Sequence, residues 1–244
     1  MKLRIKFRKF GAVRFIGHLD LMRFFQKMIR RADLDIAYSH GFSPHQIMSF
    51  AAPLGVGLES NGEYVDVEMN SVTTSDDMVK RLNEASVDGI EILSIRELPE
   101  NCGNAMASVA AASYTVRFRE GREPKVDYRK ELPLFMDSKE IPYEKETKKG
   151  SVMLDLKPAV YELNVQDDGS IYMLVNASSS GNIKPGMVLD AFLAAHGEAL
   201  QENALFVTRE DTFQLALDSK SKDMKNTTQS PQFVSMGEIG EIIR

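Results

Sequence analysis

Three of the four histidines in this 244-residue chain, His18, His40 and His45, fall within the first sixty residues, beside a third of its Lys and Arg. Imidazole can take or give a proton near neutral pH, and ammonium and guanidinium groups can hold a phosphate or a developing negative charge. His18 begins a helix-like pattern beside a glycine and His45 lies in a loop, so these two are the candidates for proton transfer. For His18, a plain role tying the turn to the backbone is an equal alternative. His40 and His45 are five residues apart with no evident third ligand, so no metal is expected.

The candidates for holding an anion are Arg4, Lys6, Arg8, Arg14, Arg23, Lys27, Arg30 and Arg31, joined by Tyr38, Ser39, His40, Phe42 and Ser60. The last five belong to DIAYSHGFSPHQIMSFAAPLGVGLES, residues 35–60, whose glycines and prolines imply shaped loops with backbone amides open to a ligand. Tyr38, Phe42 and Phe50 offer flat faces on which bases could stack. Gly55-Val56-Gly57 lacks the third glycine of a dinucleotide fingerprint and its flanking strand and helix.

The elements that must carry these groups follow from periodicity. In residues 1–10, Leu3, Ile5 and Phe7 alternate with Lys2, Arg4, Lys6 and Arg8, which predicts a half-buried strand with its cations outward. Leu21, Phe24, Phe25, Met28 and Ile29 then follow helical spacing, with Asp20 placed to cap the first turn and the cations on the opposite side. Alternation over Glu63 to Met69, a helix over Thr73 to Ala85 capped by Thr74 or Ser75, and a strand over Gly89 to Leu98 complete a first set. Ile36 to Tyr38 is a candidate short strand.

A polar link follows. The second half repeats the scheme, with strands over 113–118, 152–156, 161–165, 171–176 and 204–217 and helices over 128–136 and 185–196. The expected fold is α+β, two ferredoxin-like (βαββαβ) antiparallel-sheet sandwiches in tandem, over 1–98 and 109–218, with 219–244 a flexible tail that ends in a short element over Phe233 to Ile243.

Charge is polarised along the chain. Residues 1–50 carry ten Lys or Arg against three Asp, a balance of +7, whereas the other 194 carry 20 basic against 32 acidic, a balance of −12. A cationic end on an acidic body suits an anionic partner such as RNA. The lone Cys102 can form no internal disulfide, and no apolar run reaches 18 residues, so a soluble cytoplasmic protein without cofactor is expected.

The stretches RFIGHLDLMR (Arg14 to Arg23), RRADLDIAYSHGFSPHQIMSFAAPLGVGLES (Arg30 to Ser60) and EYVDVEM (Glu63 to Met69) resemble the radical SAM-linked protein family of bacteria, with weaker similarity through VMLDLKPAV and NIKPGMVLDAF. Gly17 and Gln46 stand where that family usually has serine and proline. The first change removes a side-chain cap and the second relaxes the loop. The resemblance implies a radical S-adenosylmethionine protein as partner and an RNA substrate. With one cysteine the chain cannot hold that partner's iron–sulfur cluster by the usual thiolates.

Three functions remain open at this stage. One is a non-catalytic RNA-binding or substrate-presenting module. The second is a metal-independent RNA-processing enzyme, by analogy with tandem ferredoxin-like CRISPR endonucleases, in which His18 or His45 moves the proton. The third is a protein–protein adaptor.

Overall fold

A computed structural model describes residues 1–147, 150–216 and 231–244. The chain is mixed α+β, with a large, mostly antiparallel sheet and few helices. It divides into two compact units, one of residues 1–110 and 211–244, the other of residues 111–210. This division differs from the expected one at the C-terminus, because the last residues belong with the first unit.

In the first unit, β1 (Lys2–Lys9) lies between β3 (Glu59–Glu68) and β4 (Ile90–Glu97), antiparallel to both. The short β2 (Met48–Phe50) pairs with the later part of β3, opposite Val65 to Val67. The alternation of β1 aims Leu3, Ile5 and Phe7 at one face, where they pack on α1 (His18–Arg31) and α2 (Ser75–Glu84). Leu21, Phe25, Met28 and Ile29 of α1 and Met78 and Leu82 of α2 fill that layer. Phe7 and Phe25 meet at 4.6 Å between ring centres. A single apolar stripe per helix suffices because each helix covers only one side of the sheet.

Helix ends follow local chemistry. Thr74 caps α2 by accepting the Asp77 amide at 3.2 Å. Gly17 gives α1 no side-chain cap, and Asp20 does not supply one: its carboxylate turns to Arg23 at 3.5 Å instead. Arg30 and Arg31 in the last turn of α1 sit where the helix dipole favours cations. α3 (Ala105–Ser108) is one turn, capped by Asn104.

The second unit has the sheet order β10-β5-β9-β8, from β5 (Ala111–Phe118), β8 (Val160–Val165), β9 (Ile171–Asn176) and the first part of β10 (Leu205–Leu215). The helices α4 (Tyr128–Met136) and α5 (Pro185–Ala195) supply Leu132, Phe135, Val188, Leu189 and Phe192 to its core. A separate hairpin pairs β6 (Pro142–Thr147) with β7 (Gly150–Asp155).

The short element expected over Phe233 to Ile243 is present and packs in the first unit; residues 217–230, which hold most of the expected flexible stretch, lie outside the described residues. β11 (Phe233–Ser235) pairs with the end of β10, Met236 is fully buried, and Glu97 and Glu241 exchange both backbone hydrogen bonds at 2.8 and 2.9 Å. Ile243 closes the run by donating its amide to the Ser75 hydroxyl at 2.9 Å. Backbone pairing holds this segment to the first unit.

Candidate anion-binding face

The two cationic rows of the N-terminal region point away from each other. The apolar residues of β1 face α1, so Lys2, Arg4, Lys6 and Arg8 project from the opposite side of the sheet. The strand row and the helix row, all candidates for holding an anion, therefore do not share one face. The β1 row is also largely consumed inside the first unit.

Arg4 stands directly across from Asp66 in the β1–β3 register and grips it with two hydrogen bonds, Nε to Oδ1 at 2.8 Å and Nη2 to Oδ2 at 3.0 Å. At 2% exposure Arg4 is closed to any phosphate, and its Nη1 donates to the Met236 carbonyl at 3.4 Å. Lys6 lies 3.5 Å from Asp211 and 5.6 Å over the Tyr64 ring. Arg8, the most open of the row, donates to Asn61 and to Glu91, each at 3.0 Å. Strands with acids at matching cross-strand positions quench the row, a pairing visible only once register is known.

Asp211 is the centre of a half-buried polar cluster. The Tyr64 hydroxyl donates to its Oδ1, the Ser235 hydroxyl to its Oδ2 at 2.6 Å, and the Thr212 amide to Oδ1 at 2.9 Å. Burial, then the Asp211 charge, pushes the Tyr64 phenol well above its ordinary range, so it acts as a fixed donor and not as a base. Gly237 closes over this cluster: a Cβ there would lie 2.9 Å from the Tyr64 hydroxyl and 3.2 Å from Lys6 Cδ.

The α1 row is different. Arg23, Lys27, Arg30 and Arg31 are all exposed. Among the described residues Arg23 has only the loose Asp20 contact, Arg30 returns to the Gln26 carbonyl at 3.3 Å, and Arg31 reaches the Ala85 carbonyl at 2.8 Å. Carbonyls leave the guanidinium charge unneutralised, so this stripe keeps its positive potential.

Beside it stands a hairpin. The Ala37 amide bonds to the Glu68 carbonyl, Ile47 to Ala37, and Ser39 to His45, leaving residues 39–45 as the tip. Ser39 Oγ accepts the His45 amide at 3.1 Å and lies 2.9 Å from His45 Nδ1, which fixes the tip from within. His40 and Phe42 are exposed on it, and Tyr38 is 46% exposed at its root. Gln46, only 4% exposed, donates from Nε2 to the Gln26 carbonyl at 3.3 Å and to the Tyr38 hydroxyl at 3.4 Å. This one amide joins hairpin and helix, so the α1 stripe and the loop share a surface.

The remaining candidates are set apart. Ser60 is fully buried and its hydroxyl accepts the Gly62 amide, so it cannot reach an external anion. Arg14 bonds Glu59 at 3.0 Å and covers the Phe15 ring at 4.8 Å. His18 meets the Phe50 ring edge-on at 5.1 Å, and its Nδ1 is buried without a hydrogen bond. Gln46, the neighbour of His45, contacts Gln26, which is two turns or about 12 Å along the helix from His18. The two histidines therefore sit in separate surroundings. Among the described residues no three His, Cys, Asp or Glu side chains gather in a metal-binding group.

Sequence reasoning missed Lys9 and Gln46. Lys9 is 1% exposed and donates to the Ile16 carbonyl at 2.9 Å, just ahead of α1. The signal was present: continuing the alternation puts position 9 on the face of Leu3, Ile5 and Phe7. Gln46 was noticed only as a departure from a pattern, yet it anchors the hairpin.

In the second unit an open basin of about 510 Å³ is lined by Arg117, Asp168, Tyr172 and Glu210 among others. Hydrogen bonds from the Ser170 hydroxyl and from Arg117 hold the Asp168 carboxyl well below the usual carboxylate range. No helix among the described residues is long and apolar enough to cross a membrane.

A family model described as "Uncharacterized protein conserved in bacteria (DUF2344)" matches residues 2–185. No curated protein matches the chain.

Proposed function

We propose that this chain, which belongs to that family of uncharacterised conserved bacterial proteins, is a non-catalytic module that binds RNA or presents a substrate to a radical S-adenosylmethionine partner enzyme. The observation that carries the reading is the open cationic stripe of α1, Arg23, Lys27, Arg30 and Arg31, joined through Gln46 to a hairpin that exposes Tyr38, His40 and Phe42. Unneutralised cations beside flat rings suit a phosphate backbone with accessible bases. Strand orders also support the tandem ferredoxin-like reading: β4-β1-β3 with β2 on β3 in one unit, and β10-β5-β9-β8 in the other. The radical enzyme as partner rests on the resemblance of residues 14–23, 30–60 and 63–69.

Co-purification with and without nuclease treatment tests the reading. RNA retained before treatment, and affinity that falls steeply with salt, are the expected results. Binding that is flat across ionic strength, or a protein complex that forms without RNA and owes its salt sensitivity to the same stripe, would replace it with the adaptor reading.

A further inference from the structure

We infer that the ligand of this face is single-stranded RNA, with an unstacked base packed on the Phe42 ring and the backbone running along Arg23, Lys27 and Arg30; the inference rests on the proposed RNA-binding function. Phe42 is fully exposed, the most exposed large apolar residue among those described, so its ring spends the folded state in water. It is not on a loose loop. Gly41, at φ +115°, makes a turn that a side chain would resist, and the Ser39–His45 bonds close the tip on both sides of the ring. The hairpin root is tied to α1 through Gln46, so the hairpin that carries the ring is anchored on the helix that carries the cations.

The chemistry of the two parts selects the strand state. Cations alone attract any polyphosphate, duplex or single-stranded. An exposed ring contributes only when a base face is open, and in a duplex both faces are covered by neighbouring bases. Tyr38, half open at the root with its hydroxyl already engaged by Gln46, presents a second flat face and has no need of a specific base edge. The expected preference is therefore for strand state, with little for sequence.

The test measures affinity of the full chain for a 12-nucleotide single strand and for a duplex of equal length, each at several salt concentrations. Phe42→Ala is expected to weaken single-strand binding roughly ten-fold at every salt concentration, leaving the salt slope and duplex binding unchanged. Lys27→Glu is expected to weaken both ligands and to flatten the single-strand slope by about 0.7, the contribution of one phosphate. Equal affinity for the two ligands, with Phe42→Ala silent, would overturn the single-strand inference and leave the RNA-binding function standing. Failure to bind either RNA would overturn the parent reading as well. Loss of a protein complex or of vesicle binding on Phe42→Ala, with RNA affinity intact, would assign the ring to another partner and also refute the inference.

Discussion

β1 and α1 carry the same kinds of side chain and follow one another in the chain, yet their cations meet opposite fates. On β1, Arg4 is buried against Asp66, Lys6 faces Asp211 and Arg8 faces Glu91. On α1, Arg23, Lys27, Arg30 and Arg31 remain in water, with backbone carbonyls or a loose carboxylate as their contacts. A strand's neighbours lie a few ångströms away and can supply acids at matched positions. The outer side of a helix has no neighbouring strand to supply them, and the acid that α1 itself places there, Asp20, makes only a loose contact. Density of positive charge in a sequence is thus a poor guide to a binding face until the carboxylates that will sit opposite are known.

Removing a carboxylate should hurt the β1 row far more than removing a cation hurts the α1 row. Asp66→Ala leaves the Arg4 guanidinium buried without its anion, and chemical denaturation should record a loss of about 3–5 kcal/mol. The double variant Arg4→Met, Asp66→Leu should recover most of it, because the cost lies in the uncompensated charge. Lys27→Glu, by contrast, should change stability by no more than about 0.5 kcal/mol. Comparable losses for Asp66→Ala and Lys27→Glu would erase the distinction.

Binding should rank the rows in reverse. Reversing Arg23 and Lys27 together should lower RNA affinity by at least about ten-fold at low salt and reduce its salt slope, whereas Arg8→Glu should have a smaller effect because Glu91 and Asn61 already hold that side chain. A filter-binding or fluorescence anisotropy series would decide, and equal losses would return the β1 row to the interface. His18→Ala and His45→Ala should leave an incubated RNA as intact as the wild type does. Any RNA shortening by the wild type that these variants abolish would restore the enzyme reading.

The smallest expected effect lies in the second unit, where an acid and a cation pair in the open. The folded pKa of Asp168 is depressed, so its contribution to stability is present above the ordinary aspartate value of about 3.9 and is lost as pH falls through the lower folded value. A carboxyl-detected NMR titration should place it below the other aspartates. Ser170→Ala and Arg117→Ala should each raise it, since each removes a hydrogen bond to the carboxylate.

Much of the fold was legible because local patterns dictated it. The alternation of Leu3, Ile5 and Phe7, the stripe of α1, the Thr74 cap and Pro185 at the start of α5 each correspond to an observed element. The strand β2 at Met48 to Phe50 was hidden in a loop-like run, and β3 begins at Glu59, earlier than its polar first residues suggested. The hairpin partner β6, PYEKET, carries too many charges to read as a strand. At the site, the exposed cations and rings were readable one by one. Their division between two sides of a sheet was not, because Asp66 and Asp211 lie 62 and 205 residues from the side chains they engage.

The first unit is encoded in two instalments, with the hundred residues 111–210 between them. At ordinary rates of synthesis the ribosome needs roughly 5 to 20 s to deliver that intervening stretch. Until Asp211 and Ser235 emerge, the Tyr64 hydroxyl has no acceptor, Lys6 has no counterion and the early part of β3 is a bare edge open to stray strands. The nascent chain therefore carries an unfinished sheet while the second unit is being made, and a protein factor that shields that edge during this interval would raise the yield of folded product.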